Sequence, residues 1–526
     1  MVENETLGTL HDDVAGADPQ RAAIIDGTTG ETLTYGDLAE SVARVAGALD
    51  ATSLSPGERV PLCYPNRPRF VVLFLAICRT GAVPVPVNLQ LDRRKVGHIL
   101  EDCDASVVIA AATALERPAI RGGLDDADGD VAVLVDGEPA PDFRVDSDWR
   151  ALRELTAQAE TAYDPVPLTG RDPAIQAYTS GSTGDPKGVV LTQRGVRWCT
   201  DSFREFLEIT QDERGLVVTP LYHKNAMTGV VKPCLAAGAS CVVLPEFERE
   251  TVIETIETYE VTYLTGVPAI FKRLVEAPAL VAASDTASLS WASCGSATVP
   301  ETLAGQFEDV FDATLLEVYG LTEGGPVVTH SPRDGPQKAG SAGLALPGCR
   351  TRVVDPETGE AVADGNPGEL LVSNPGLGSY DERPAAERAA FEIIDGTRWL
   401  HTGDLARKDE DGYHFILGRL DDMMIVGGEN LYPADVEERV LQHDAVTDVA
   451  VVSVPHDTKG EAPVAFVVTD RPVTAAAVKQ FALDRGPAFA HPRRVFVVDA
   501  IPLSGTGKAD TETLRQRALE RIDGSL

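Results

Sequence analysis

Two spacings of apolar residues run through this chain and divide it. Up to about residue 418, short β-branched runs such as 215–219 and 240–244 alternate with stretches whose apolar residues recur every three or four positions, such as Val252, Ile253, Ile256 and Tyr259. The first spacing predicts strands and the second a helix with one apolar face. A run at 261–265 stops at Gly266-Val267-Pro268 and reads as the next strand. Strands separated by helices predict βαβ units and parallel sheets. Residues 110–170 are rich in Asp, Gly, Ala and Pro and read as loops around one strand at 131–135. The last hundred residues change rhythm: a helix at 435–442, strands at 449–454 and 464–468, a helix at 475–484 and a strand at 495–498. The prediction is an α/β protein, with a large N-terminal domain of parallel sheets plus a β-rich part over 1–418 and a small α+β domain over 423–526, the boundary falling at 419–422.

Composition narrows the class. A chain of 526 residues with 43% hydrophobic content supports at least two globular domains. The apolar run at 70–78 is far too short to cross a bilayer, and the acidic opening Met1-Val2-Glu3-Asn4-Glu5 has no apolar stretch of the secretory kind, so a cytoplasmic location is expected. The eight cysteines (Cys63, Cys78, Cys103, Cys199, Cys234, Cys241, Cys294 and Cys349) stand singly, with no CxxC and no Cys/His cluster. Buried free thiols, not a zinc site or disulfide framework, are expected. Acidic residues number 81 against 46 basic ones, giving a formal charge of −35, and only ten of the basic residues are lysines. Such a surface repels nucleic acid and anionic membranes. Salt relieves self-repulsion of this size, which points to a high-salt cytoplasm, as in a halophile; an ordinary acidic enzyme is the alternative.

Candidate chemistry begins at Tyr178-Thr179-Ser180-Gly181-Ser182-Thr183-Gly184-Asp185-Pro186-Lys187-Gly188-Val189. Gly181 and Gly184 let backbone N–H groups approach an anion. Thr179, Ser180, Ser182 and Thr183 add hydroxyl donors, and Lys187 a positive charge. The stretch lies between two apolar segments, which predicts a polyphosphate-binding loop held between ordered elements. No Lys-Ser or Lys-Thr follows, so this is not a Walker A loop.

The loop resembles the signature of the adenylate-forming superfamily, which includes acyl-CoA synthetases, peptide-synthetase adenylation domains and firefly-type luciferases. Further motifs match in the family order and cover nearly the whole chain. Val318-Tyr319-Gly320-Leu321-Thr322-Glu323 resembles the YGxTE motif, implying that Tyr319 stacks on adenine beside Gly320, Thr322 binds the α-phosphate and Glu323 binds Mg²⁺. Gly295-Ser296-Ala297 resembles the adenine-lining segment. Asp404, in Trp399-Leu400-His401-Thr402-Gly403-Asp404, and Arg419 are implied ribose contacts, and Asp421 the hinge about which a small mobile domain turns. Pro502-Leu503-Ser504-Gly505-Thr506-Gly507-Lys508 resembles the tail motif whose lysine, here Lys508, stabilises charge as the adenylate forms. Gly427, Gly428 and Glu429 are implied to line the coenzyme A tunnel after the small domain rotates.

The resemblance implies that Pro220-Leu221-Tyr222-His223 closes the acyl pocket, with His223 as an aromatic gate. Amino-acid-activating members carry Asp at the next position. This chain has Lys224 and then Asn225, which disfavours an α-amino substrate and suggests a polar or anionic feature on the acid. The implied reaction joins a carboxylic acid to coenzyme A with ATP and Mg²⁺, releasing AMP and diphosphate. A stand-alone enzyme that loads a carrier-protein thiol, and a non-catalytic nucleotide-binding scaffold, are the alternatives. The chain departs from the family at Phe489-Ala490-His491-Pro492-Arg493-Arg494, where a lysine common in that segment is missing.

Overall fold

The computed structural model describes residues 6–127, 131–138, 140, 149–179, 185–297, 299–456, 458–502 and 509–522. The largest sheet has nine strands, and its centre runs parallel in the order Thr314–Tyr319, Trp291–Gly295, Tyr263–Gly266, Arg214–Val217, Ser240–Val243 and Ala22–Asp26. Short antiparallel strands close both edges. Along each strand, neighbours face opposite layers: Leu216 and Val242 enter one apolar cluster while Val217, Cys241 and Val243 enter the other. Both faces are covered, as a parallel sheet requires, which is why these strands read as continuous apolar runs.

A second, all-parallel sheet contains Val83–Pro86, Arg59–Cys63, Val107–Ala111, Ala132–Asp136 and Arg150–Ala151. The apolar run at 70–78 is the buried core of the helix Pro68–Arg79. The β-rich part is an antiparallel sheet built from Arg350–Val354, Gly368–Ser373, Thr397–Lys408, Phe391–Ile394 and His414–Arg419. From Met424 onward the chain packs around two apolar clusters of its own, on a sheet whose longest strands are Val446–His456 and Gly460–Thr469.

One expectation is corrected. Residues 110–170 are not mainly loops: they hold helices at Ala112–Leu115, Pro118–Asp126 and Leu152–Gln158. Pro118 sits in the first turn, where its missing N–H costs nothing. Gly123 allows close approach to the helix Arg93–Asp102, since a Cβ there would come within 2.5 Å of Val96. Gly122 and Gly123, among the glycines that suggested loops, are contact points between the two helices. The cysteines fall as expected: all eight are free, and seven are buried. No helix among the described residues is long and apolar enough to cross a membrane.

Candidate active site

The hydroxyl-rich loop springs from an antiparallel hairpin, Pro173–Thr179 with Lys187–Thr192, in which Thr179 is paired with Lys187. Ser180, Gly181, Ser182, Thr183 and Gly184 lie outside the described residues, as does Lys508. A third strand, Ser379–Tyr380, lies beside the hairpin with Tyr380 opposite Val189. Glu323 reaches this sheet from the loop after Thr314–Tyr319: its Oε1 accepts from the Tyr380 hydroxyl at 2.9 Å and from Thr179 Oγ1 at 3.2 Å. The Lys187 ammonium stands 6.0 Å from the centre of the Tyr380 ring. Burial, and then the Glu323 carboxylate, push the Tyr380 phenol up, so it stays a donor at neutral pH.

The loop carrying Thr322 and Glu323 folds back tightly at Gly320, where a Cβ would lie 2.0 Å from the carbonyl oxygen of Pro326. No side chain fits there. Thr322 is buried in this loop.

Tyr319, at the end of its strand, donates to Asp404 Oδ2. Arg419 Nη1 donates to Asp404 Oδ1 at 3.0 Å and to the carbonyl of Thr402 at 2.9 Å. Asp404 and Arg419 are direct cross-strand partners. Burial and the Asp404 carboxylate raise the Tyr319 phenol far above its ordinary value. A carboxylate offers about four lone-pair sites, so the two that Asp404 uses leave capacity for a pair of vicinal hydroxyls. Gly295 pairs with Val318 in the neighbouring strand, which brings Ser296 beside this group. Ser296 has φ +68, in the left-handed region that a residue with a Cβ uncommonly enters; Ala297 follows it.

An adjoining cavity of about 40 Å³ has Lys224, Asn225, Thr228, Thr265, Ser293 and Ser296 among its lining. His223 Nδ1 accepts from the Asn225 N–H at 3.3 Å, and Lys224 Nζ donates to the Pro326 carbonyl at 3.3 Å. Behind the cavity, His330 is fully buried, and burial drives its imidazole down to about 4, so it is neutral. Gly427 and Gly428, with φ +68 and +92, form the two-residue turn of the hairpin Met424–Val426 and Glu429–Leu431, as such turns demand. Asp421 lies 3.8 Å from Arg419.

The motif residues therefore gather in three neighbouring groups: Thr179, Lys187 and Glu323; Tyr319, Asp404 and Arg419; and Lys224 with Asn225. Sequence reading missed Tyr380, Thr265, Ser293 and His330. Tyr380 lies 57 residues beyond Glu323, and no local pattern marks it. Among the described residues no cluster of three or more His, Cys, Asp or Glu side chains is placed to hold a metal ion. One carboxylate among hydroxyls nevertheless suits Mg²⁺, which takes few protein oxygens and completes its shell with phosphate oxygens and water; the donor set fits the ion in that form.

The hairpin ends at Thr179 and Lys187 beside Glu323, the Asp404 carboxylate with Tyr319 and Arg419, and the adjoining cavity make up the candidate site. Residues 12–379 match the family of AMP-binding enzymes, and residues 435–508 match the AMP-binding enzyme C-terminal domain. The chain is 33% identical over 524 residues to a feruloyl-CoA synthase of Amycolatopsis sp, covering 98% of this chain and 100% of that protein. It is 32% identical to an indoleacetate–CoA ligase of Aromatoleum aromaticum, covering 95% and 96%. Its structure superposes on ATP-bound MatB from Rhodopseudomonas palustris with a TM-score of 0.88 at 29% identity, covering 97% and 98% of the two chains. The chain belongs to the AMP-binding enzyme family. It is an AMP-forming acid–thiol ligase that draws on ATP, Mg²⁺ and coenzyme A, with a small carboxylic acid as the remaining substrate.

Proposed function

We propose that the three groups carry out the two half-reactions in one cleft, and that the reading rests chiefly on Glu323, whose carboxylate joins the phosphate-loop hairpin to the loop after Tyr319. In the first step a carboxylate oxygen of the acid attacks the α-phosphorus of ATP and diphosphate leaves. Both reactants are anions, so catalysis consists of charge compensation and alignment. Residues 179–184 with Lys187 bind the β- and γ-phosphates, Thr322 the α-phosphate, and Lys508 the oxygens that gain charge. Glu323 would hold Mg²⁺, which would supply positive charge to the phosphates. Gly295, Ser296, Ala297, Tyr319 and Gly320 receive adenine, while Asp404 and Arg419 receive the ribose.

In the second step the coenzyme A thiolate attacks the adenylate carbonyl and AMP leaves. The small domain, residues 423–526, turns about Asp421 between the steps. This withdraws Lys508 and brings up Gly427, Gly428 and Glu429. His223, Lys224 and Asn225 belong to the acyl pocket, and Lys224 argues against an α-amino acid. The enzyme works in the cytoplasm, and the charge of −35 supports a high-salt one. Loss of stabilisation by molar KCl in a melting series would remove the salt reading.

The test of the function is AMP release at molar KCl with ATP, Mg²⁺ and a panel of carboxylic acids, each with and without coenzyme A. AMP that accumulates only with one acid class and coenzyme A is the expected result. Turnover that ignores coenzyme A would shift the acceptor to a carrier-protein thiol, and no turnover across the panel would refute the ligase.

A further inference from the structure

We propose that Asn225 is a specificity-determining donor: its side-chain N–H groups bind a neutral oxygen on the acyl group, so the acid this chain prefers bears a hydroxyl, keto or ether oxygen away from its carboxylate. The proposal rests on the reading of the cavity as the acyl pocket. Asn225 Oδ1 accepts from Thr265 Oγ1 at 2.8 Å and from Thr219 Oγ1 at 3.2 Å. Both threonines are buried, at 3% and 5% exposure. With both lone pairs of its amide oxygen engaged, the side chain keeps one remaining polar function, two N–H donors, and Asn225 lines the cavity.

A second wall residue is committed in the complementary sense. The Nδ1 of His330 lies 2.7 Å from the carbonyl of Ser331, which can only accept, so Nδ1 carries the proton. Nε2 then accepts from the Ser293 hydroxyl at 2.9 Å. Ser293 spends its proton on the histidine and has only acceptor capacity left for the cavity it lines. A donor at Asn225 and an acceptor at Ser293 suit a substrate hydroxyl, and the donor alone suits a ketone or ether. Lys224 is the one charged side chain among the described lining residues, and its ammonium donates to the Pro326 carbonyl. A plain alkyl or phenyl group would leave the amide donors without partners in a desolvated pocket, the situation that makes hydrogen-bonding sites reject analogues lacking the polar atom.

The experiment compares kcat/KM for coenzyme A-dependent AMP release on matched acids: pentanoate with 4-oxopentanoate, phenylacetate with 4-hydroxyphenylacetate, and cinnamate with 4-hydroxycinnamate. The wild type should favour the oxygenated member of at least one pair by about tenfold or more. Asn225→Leu should bring that pair to near parity. Asn225→Asp, which keeps the size but turns donors into acceptors, should penalise the ketone far more than the hydroxyl acids. A role confined to folding would lower both members of each pair together and leave their ratio intact. Preference for the unsubstituted acid in every pair, or an oxygen preference that survives Asn225→Leu, overturns the inference while leaving the ligase in place. Failure of the wild type to activate any acid overturns both.

Discussion

Asp404→Asn tests the nucleoside half of the site with the least disturbance of shape. In the wild type both carboxylate oxygens accept, one from the Tyr319 hydroxyl and the other from Arg419. The side chain is buried at 7% exposure. Replacing one oxygen by NH₂ leaves the amide oxygen for Arg419, turns the Tyr319 hydroxyl from donor to acceptor, and removes the charge that the two remaining acceptor sites offer a ribose. A hydrogen bond to a charged group contributes about 1.5–3 kcal/mol. Losing two to the ribose while the exposed part of Arg419 turns to water gives a net loss near 3 kcal/mol, or roughly a hundredfold in ATP affinity. Calorimetric titration of ATP without acid measures this directly. The sharper assay compares ATP with 3′-deoxy-ATP. The wild type should discriminate by about tenfold or more, and the variant should bind the two nucleotides almost equally. A variant that still separates them would refute the assignment of Asp404 to the ribose, however weakly it bound ATP.

Three further changes bear on the other parts. Tyr380→Phe removes the hydroxyl that holds Glu323 Oε1; the Mg²⁺ concentration needed for half-maximal ATP binding should rise about fivefold to tenfold, with kcat at saturating Mg²⁺ changed far less, and an unaltered Mg²⁺ titration would refute the positioning role. Glu437 is half-buried and accepts from the Val451 N–H at 2.8 Å, and desolvation lifts its carboxyl from 4.5 to about 7. The folded chain therefore keeps a proton that the unfolded chain has lost, and stability falls as pH rises between those values, by at most about 3 kcal/mol. Glu437→Gln should match the wild type near pH 5 and exceed it near pH 8 in denaturant melts, and parallel pH curves for the two proteins would show the cause to be elsewhere. Lys508→Ala should abolish adenylate formation yet spare thioester formation from supplied acyl-AMP, and equal loss of both half-reactions would count against a rotating small domain.

What the sequence disclosed follows the range of the interactions involved. The helix Ala475–Asp484 was legible from end to end because its start is marked locally, by Thr474 accepting from the Ala477 N–H at 3.2 Å. The helix Pro118–Asp126 was not, because its glycines make sense only against Arg93 and Val96, contacts no window of sequence contains. The same division runs through the site. Thr179, Lys187, Tyr319 and Glu323 stood out because they belong to motifs written on contiguous residues. Tyr380, Thr219 and Thr265 did not, because they orient another side chain from a different strand or loop.

That difference also says where selectivity among relatives can arise. Tyr319 and Glu323 lie four positions apart on one turn of chain, yet Tyr319 is bonded to Asp404 and Glu323 to Thr179 and Tyr380. The proposed nucleoside and phosphate ends of the site are thus held in fixed relation by a short loop that Gly320 forces to fold on itself. Changes there would disturb ATP whatever the acid. The acyl cavity is held differently. Among the described residues the Asn225 side chain is tied to Thr219 and Thr265, and the Ser293 side chain to His330. These pairs can be exchanged without touching Asp404 or Glu323, so the chemistry of the acid can vary on a constant adenylating frame. The substrate is therefore to be sought in the hydrogen-bond polarity of these few side chains; the motifs that identify the family do not carry it.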